Sequence, residues 1–124
     1  MIDTDAIASV TRDLSRKDFS HQFGMSKVAP REKAIWREIR DLGTRLWLDT
    51  GDLEEAKTLW CSDFEALTTN NTLLNKEVQK GIYDDLISEI GDAIREVAPK
   101  IVERMLVLEV AFVLNAYHAL KLAS

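Results

Sequence analysis

A chain of 124 residues, 46% of them hydrophobic, is the size of one modest domain with a core of its own. Its 16 basic and 21 acidic residues leave a net charge of −5 with the signs interspersed, so the clustered positive charge of a nucleic-acid or anionic-membrane binder is missing. A single cysteine, Cys61, excludes an internal disulfide framework and any CxxC metal or redox pair; it fits a reducing cytoplasm and reads as a small buried filler.

The first residues, MIDTDAIASV, place Asp3 and Asp5 where a secretory leader carries positive charge, so a cytoplasmic location is expected. Asp3 to Asp5 can cap a short helix in which Ile7, Val10 and Leu14 recur at spacings of three and four. The stretch SRKDFSHQFGMSKVA has no such period and reads as a loop or arm. Pro30 then suits a first helical position, Ile35, Ile39 and Leu42 form an apolar stripe, and Gly43 stands where a left-handed C-cap residue belongs. Residues 1–43 are read as a helical arm and residues 44–124 as the unit that follows it.

After Gly43 the pattern changes. Leu46-Trp47-Leu48 is a continuous apolar run, which predicts a strand buried on both faces of a parallel sheet. Asp52 with Glu55 makes a capping box, and Leu53, Ala56 and Trp60 share the face of a short helix. Phe64 to Thr69 is a second brief strand, so the segment reads as a βαβ unit with a parallel crossover. Beyond Thr72, Val78, Ile82, Leu86 and Ile90 recur every four residues, which predicts one helix that tolerates Gly81 and ends or bends near Gly91. Pro99 marks the start of a last helix, unbroken by Gly or Pro from Ile101 to Ala123. Its most apolar window, Met105 to Leu114, is half of the roughly 20 residues a membrane helix needs and contains Glu109, so no membrane span is expected. That window is apolar on nearly every side and calls for more than one packing neighbour, and self-association through it is the expected alternative to partners in the same chain.

Both strands end in small polar residues. In parallel α/β architectures the carboxyl ends of strands open onto the ligand crevice, which makes Asp49, Thr68 and Asn70 candidates for chemistry. The structural alternative is that Asp49 starts an Asx turn and Thr68 to Asn71 cap the next helix.

LWLDTGDLEEAKTLW followed by ALTTNNTLLNKE resembles the first and second βα segments of the transaldolase family, whose members carry an ADTGD or LDTAD stretch and then TTNPS. The two motifs match in order and at the right separation, and the resemblance continues through the helical stretch to Ser124; residues 1 to about 40 are outside it. It implies an α/β fold, the N-terminal part of a (β/α)8 TIM barrel of about two βα units, preceded by the helical arm. It also implies transfer of a dihydroxyacetone unit between sugar phosphates, in the pentose phosphate pathway, through a Schiff base on a lysine. No cofactor or metal is implied. By the resemblance, Asp49 acts in proton transfer, Asn70 hydrogen-bonds the donor portion of the sugar phosphate, and Thr68 lines the pocket.

Two departures stand out. TTNPS reads TTNNT here, with Asn71 in place of proline and Thr72 in place of serine, residues that still suit a turn and a cap. The family's third-strand glutamate and fourth-strand Schiff-base lysine have no counterparts, since Lys57, Lys76, Lys80, Lys100 and Lys121 all fall on predicted helices and read as solvated. A closed barrel takes about 250 residues, so the chain is expected to be an N-terminal portion of a transaldolase-like enzyme, inactive in isolation. The reading from another class is a complete small helical module that dimerises or binds a partner through its apolar last helix. His21 and His118 lack companions at metal-ligand spacing, His118 reading as an ordinary surface or packing residue, and Trp36, Trp47 and Trp60 read as core. Glu54-Glu55 and Asp84-Asp85 read as solvated helix faces.

Overall fold

The computed structural model describes residues 2–19 and 33–124. Within these the chain runs α1 (Thr4–Arg16), α2 (Ala34–Asp41), β1 (Leu46–Asp49), α3 (Leu53–Leu59), β2 (Phe64–Thr68), α4 (Asn71–Gln79), α5 (Asp84–Val97) and α6 (Glu103–Ala123). It is a mostly helical α/β protein with βα units and a two-stranded parallel sheet. His21, Pro30 and most of the expected loop lie outside the described residues.

Local chemistry explains most boundaries. Asp3 caps α1 by accepting from the Asp5 and Ala6 amides at 3.1 and 3.0 Å. Gly43, at φ +90°, ends α2 as expected and donates its N–H to Arg40 O at 2.8 Å. The helix expected from Val78 through Ile90 is instead two. Gly81 adopts φ +79° and donates to Val78 O at 3.0 Å, a left-handed stop after α4, and α5 restarts at Asp84. The four-residue apolar period spans this break because both helices face the same core, so periodicity alone does not reveal it. Gly91, by contrast, does not end α5, which runs through it to Val97. Pro99 and Lys100 form the turn before α6, so Lys100 is not helical.

The core belongs to the helices. Leu86, Ile90 and Ile94 of α5 meet Leu106, Val113, Leu114 and Tyr117 of α6, with Leu74, Val78, Tyr83 and Leu14 around them. α1 lies against both helices. Its C-terminal end is tied down by the Lys17–Glu89 ion pair, by the Tyr117 hydroxyl donating to Asp18, and by Phe19 set edge-on to Tyr117 at 5.0 Å. α1 therefore packs into the same core as the helices after residue 44.

The sheet is more open than its apolar sequence predicts. β1 alternates half-buried Leu46 and Leu48 with exposed Trp47 and Asp49, and Trp47 keeps 64% of its surface in solvent. A strand buried on both faces needs cover on both, and among the described residues no second layer covers the Trp47 side. The pairing also slips: Leu46 opposes Phe64 and Trp47 opposes Ala66, which leaves Glu65 as the extra residue on β2. The Ile35/Ile39/Leu42 stripe of α2 is not a buried face either, since α2 has no buried residue and Leu42 is 85% exposed. Trp36, 5.6 Å from the Phe64 ring, and Arg40, 3.3 Å from Asp63, hold α2 instead. Trp60 stacks on the same Phe64, so two of the three tryptophans form one aromatic cluster and Trp47 stands outside it.

α6 buries one face, including Leu106, Val113, Leu114, Tyr117 and His118, and exposes Met105, Leu108 and Phe112 on the other; Val107, near its start, is exposed as well. Taken whole, its 21 residues are long and apolar enough to cross a membrane by length and composition, a test that the Met105–Leu114 window alone does not meet and that core helices of soluble proteins also pass.

Candidate functional site

The two strands bring their terminal polar residues together. Asp49 and Thr68 are register partners at the carboxyl ends of β1 and β2, and the Thr68 hydroxyl donates to Asp49 Oδ1 at 2.9 Å. The ladder extends by one bond, Thr50 N–H to Thr68 O at 3.0 Å. Asp49 is exposed and Thr68 half-buried, so the carboxylate faces solvent with a hydroxyl to orient it. Asn70 follows directly and caps α4, its Oδ1 accepting from the Leu73 amide at 3.0 Å. The cap does not use its Nδ2 donors. The expected capping role of this segment and a binding role for Asn70 thus use different atoms of one side chain.

The loop between β1 and α3 is tightly built. Thr50 and Gly51 are buried. A Cβ on Gly51 would lie 2.6 Å from Leu73 Cβ and 3.1 Å from Thr69 Oγ1, so α4 sits directly on this backbone. Asp52 accepts from the Glu54 and Glu55 amides at 2.9 and 3.0 Å, the expected N-cap. The expected reciprocal half of the box is replaced: the Asp52 amide donates to the Thr50 hydroxyl at 3.1 Å, and that hydroxyl donates to the Glu55 carboxylate. Glu55 is therefore committed to the loop, whereas Glu54 pairs with Lys57 on the surface.

Lys80 is not the free surface lysine expected. It bridges Asp52, at 2.9 Å, to the buried Glu77, joining the start of α3 to the end of α4. The two backbone amides and Lys80 hold the Asp52 carboxyl below its ordinary value, and the two carboxylates hold the Lys80 ammonium above its own. Lys121 lies 5.7 Å over the Tyr83 ring. Neither strand end carries a lysine.

His118, read as an ordinary surface or packing residue, is buried at 1% exposure. Its Nδ1 lies 2.6 Å from the Tyr83 hydroxyl, and the rings meet edge to face. Burial pushes the imidazole below its ordinary 6.5, against the opposing pull of the Gly51 backbone and Glu77. Burial, with Glu77 adding to it, pushes the Tyr83 phenol up to about 12. The available signal in the sequence was a polar ring inside an otherwise apolar helical stretch.

A separate groove of about 730 Å³ lies between α3, β2 and the end of α6, with Ala56, Trp60, Ala66 and Leu67 in its walls and Lys57 and Lys121 among its polar groups. It reaches Thr69 but includes none of Asp49, Thr68 and Asn70. Among the described residues no three His, Cys, Asp or Glu side chains gather as a metal-binding group, and Cys61 is buried beside Asp63.

Family models, curated proteins and solved structures were all compared with the chain, and none matches it. The geometry therefore stands by itself. A solvent-facing carboxylate, a hydroxyl bonded to it and a nearby amide can accept, relay and orient protons on a polyhydroxyl ligand, but hold no nucleophilic amine.

Proposed function

We propose that β1 to α4 is the opening of a transaldolase-like (β/α)8 barrel. It contributes to a cytoplasmic enzyme that transfers a dihydroxyacetone unit between sugar phosphates. The observation that carries this is the pairing of Asp49 with Thr68 at the carboxyl ends of two adjacent parallel strands, with Asn70 at the head of the next helix. Asp49 serves in proton transfer, Asn70 donates from Nδ2 to the bound three-carbon unit, and Thr68 orients Asp49. The replacement of proline by Asn71 leaves the turn intact, since Asn71 is the first residue of α4. The Schiff-base amine comes from a strand beyond these two, and without it the covalent route is closed. Reading the transcript through the Ser124 codon tests the assignment. A frame that continues into one strand carrying a glutamate and another carrying a lysine supports it, and a stop codon directly after Ser124 overturns it.

The exposed apolar face of α6 favours a second reading, a helical interaction module. Leu108 and Phe112, one helical turn apart on α6, are 50 and 64% exposed, an apolar surface of the kind that marks association sites. Under this reading the chain sediments as a defined dimer that melts cooperatively. Aggregation or a monomer with loose packing argues against it.

A further inference from the structure

The exposed face of α6 has a period of its own. Met105, Leu108, Phe112, Asn115 and Ala119 are all exposed and recur at steps of three, four, three and four. That is the a/d spacing of a coiled-coil seam, carried over two heptads, about 21 Å of helix at 1.5 Å per residue. Of the residues that α6 buries in its own chain, Leu106, Val113, Leu114 and Tyr117 fall on the b, c and f positions of the same heptads, and His118 falls on a flanking g position. The core of the protein thus uses one side of the helix and leaves the seam on the other.

Two features of the seam select what covers it. Its flanking g and e positions carry Arg104 and Glu109, opposite in charge and five residues apart. In a parallel pair of such helices, a g residue of one lies beside the e residue five positions on in the other, so Arg104 of each copy meets the partner's Glu109, twice by symmetry. Neither residue has an ion-pair partner among the described residues. Asn115 is the polar member of the seam. Its Nδ2 donates to the Ala111 carbonyl at 2.8 Å, which leaves one N–H and the Oδ1 for a further bond. In a parallel pair Asn115 faces its own counterpart, and the two amides bond each other. In an antiparallel pair a positions face d positions, so Asn115 would face Met105, Phe112 or Ala119, none of which can pair its amide.

We propose that α6 pairs in parallel with α6 of a second copy of this chain. Met105, Leu108, Phe112 and Ala119 pack across the two-fold axis, Arg104 and Glu109 form two ion pairs between the copies, and Asn115 fixes the register. The pairing rests on the reading of the exposed α6 face as an association surface, and adds to it the partner's orientation. Two heptads are short for a stable interface, so the dimer dissociates on dilution.

The test is a charge swap on the 124-residue chain, read by sedimentation equilibrium at low salt over a concentration series. The parent is expected to show a monomer–dimer equilibrium. Arg104→Glu alone and Glu109→Arg alone each weaken it about tenfold, because both contacts of the symmetric pair become like-charged. Mixed in equal amounts, the two variants form a heterodimer whose affinity lies within about threefold of the parent's, since both of its contacts are again opposite in charge. Arg104 is exposed and Glu109 half-buried at the edge of the seam, so the helical signal of each variant should match the parent's. A parent dimer that both variants leave unchanged, or variants that show no preference for each other when mixed, overturns the parallel pairing while the reading of α6 as an association surface stands. A parent that stays monomeric at every concentration overturns both and leaves the face to an unlike partner. None of these readouts requires catalysis, so they stay distinct from the transcript test of the enzymatic assignment.

Discussion

Replacing Gly51 with alanine destabilises the protein although the backbone there is not in the left-handed region. The added Cβ meets Leu73 Cβ at 2.6 Å and the Leu73 carbonyl carbon at 3.0 Å, against an ordinary carbon–carbon separation of about 3.5–4.0 Å. Neither atom is the end of a flexible side chain, so relief requires α4 to move as a body away from the loop. Overpacking of this kind costs about 1–3 kcal/mol. Taking about 2 kcal/mol and a urea slope of about 1.5 kcal/mol per molar, the unfolding midpoint falls by about 1.3 M. Gly91→Ala is the matched control. It lies inside α5, where a Cβ meets only Arg95 Nη1 at an ordinary 3.5 Å, and removal of a helix-interior glycine gains roughly 0.5–1 kcal/mol. Urea unfolding followed by circular dichroism should therefore move the two midpoints in opposite directions. A Gly51→Ala midpoint at or above that of the parent refutes the close approach of α4 to this loop.

Ile90→Ala should cost about 2–5 kcal/mol because the side chain is fully buried between helices, whereas Trp47→Ala, on a largely exposed residue, should change stability by no more than about 0.5 kcal/mol; the reverse order in urea titrations would return the core to the sheet. Asp52 has a folded-state value below its ordinary 3.8, first through the Glu55 amide and then through Lys80. Its contribution is thus complete above that value and is lost as pH falls through the lowered folded one. Asp52→Asn keeps the cap and removes the titration, so its acid unfolding curve should be shallower in that window; curves that superimpose would sink the assignment. Borohydride reduction in the presence of a ketose phosphate should add no mass to this chain, since Lys80 is ion-paired and the strand ends carry no lysine, and a stable adduct on any lysine would contradict that. Phe112→Glu should abolish any dimer seen by sedimentation while leaving the helical signal unchanged, and a persistent dimer would place the contact elsewhere.

The βα segments were legible because their signals are local. Asp52 and Asn70 are caps that act within three residues, and Leu46 to Leu48 and Phe64 to Thr68 are short apolar runs bounded by turn formers. Asp49 and Thr68 could be named together because parallel strands joined by one helix put their carboxyl ends side by side. The break at Gly81 was not legible, because α4 and α5 present apolar residues to one core and the period of four continues across the turn. Trp47 was misplaced for a related reason: an apolar strand residue is buried only if another layer covers it, and the strand's own sequence does not contain that layer.

Sequence alone therefore determined the element types and the polar residues at the strand ends, which follow from contacts between residues close along the chain, and the parallel pairing, which follows from two short strands joined by one helix. Tertiary structure alone decided where the core lies and what surrounds the Asp49 loop. Gly51 meets Leu73, Lys80 reaches Asp52, Tyr117 reaches Asp18 and Tyr83 reaches His118. The physical reason is that burial and charge pairing depend on which surfaces meet after the helices dock, a property of the assembled chain that no single element carries in its own pattern.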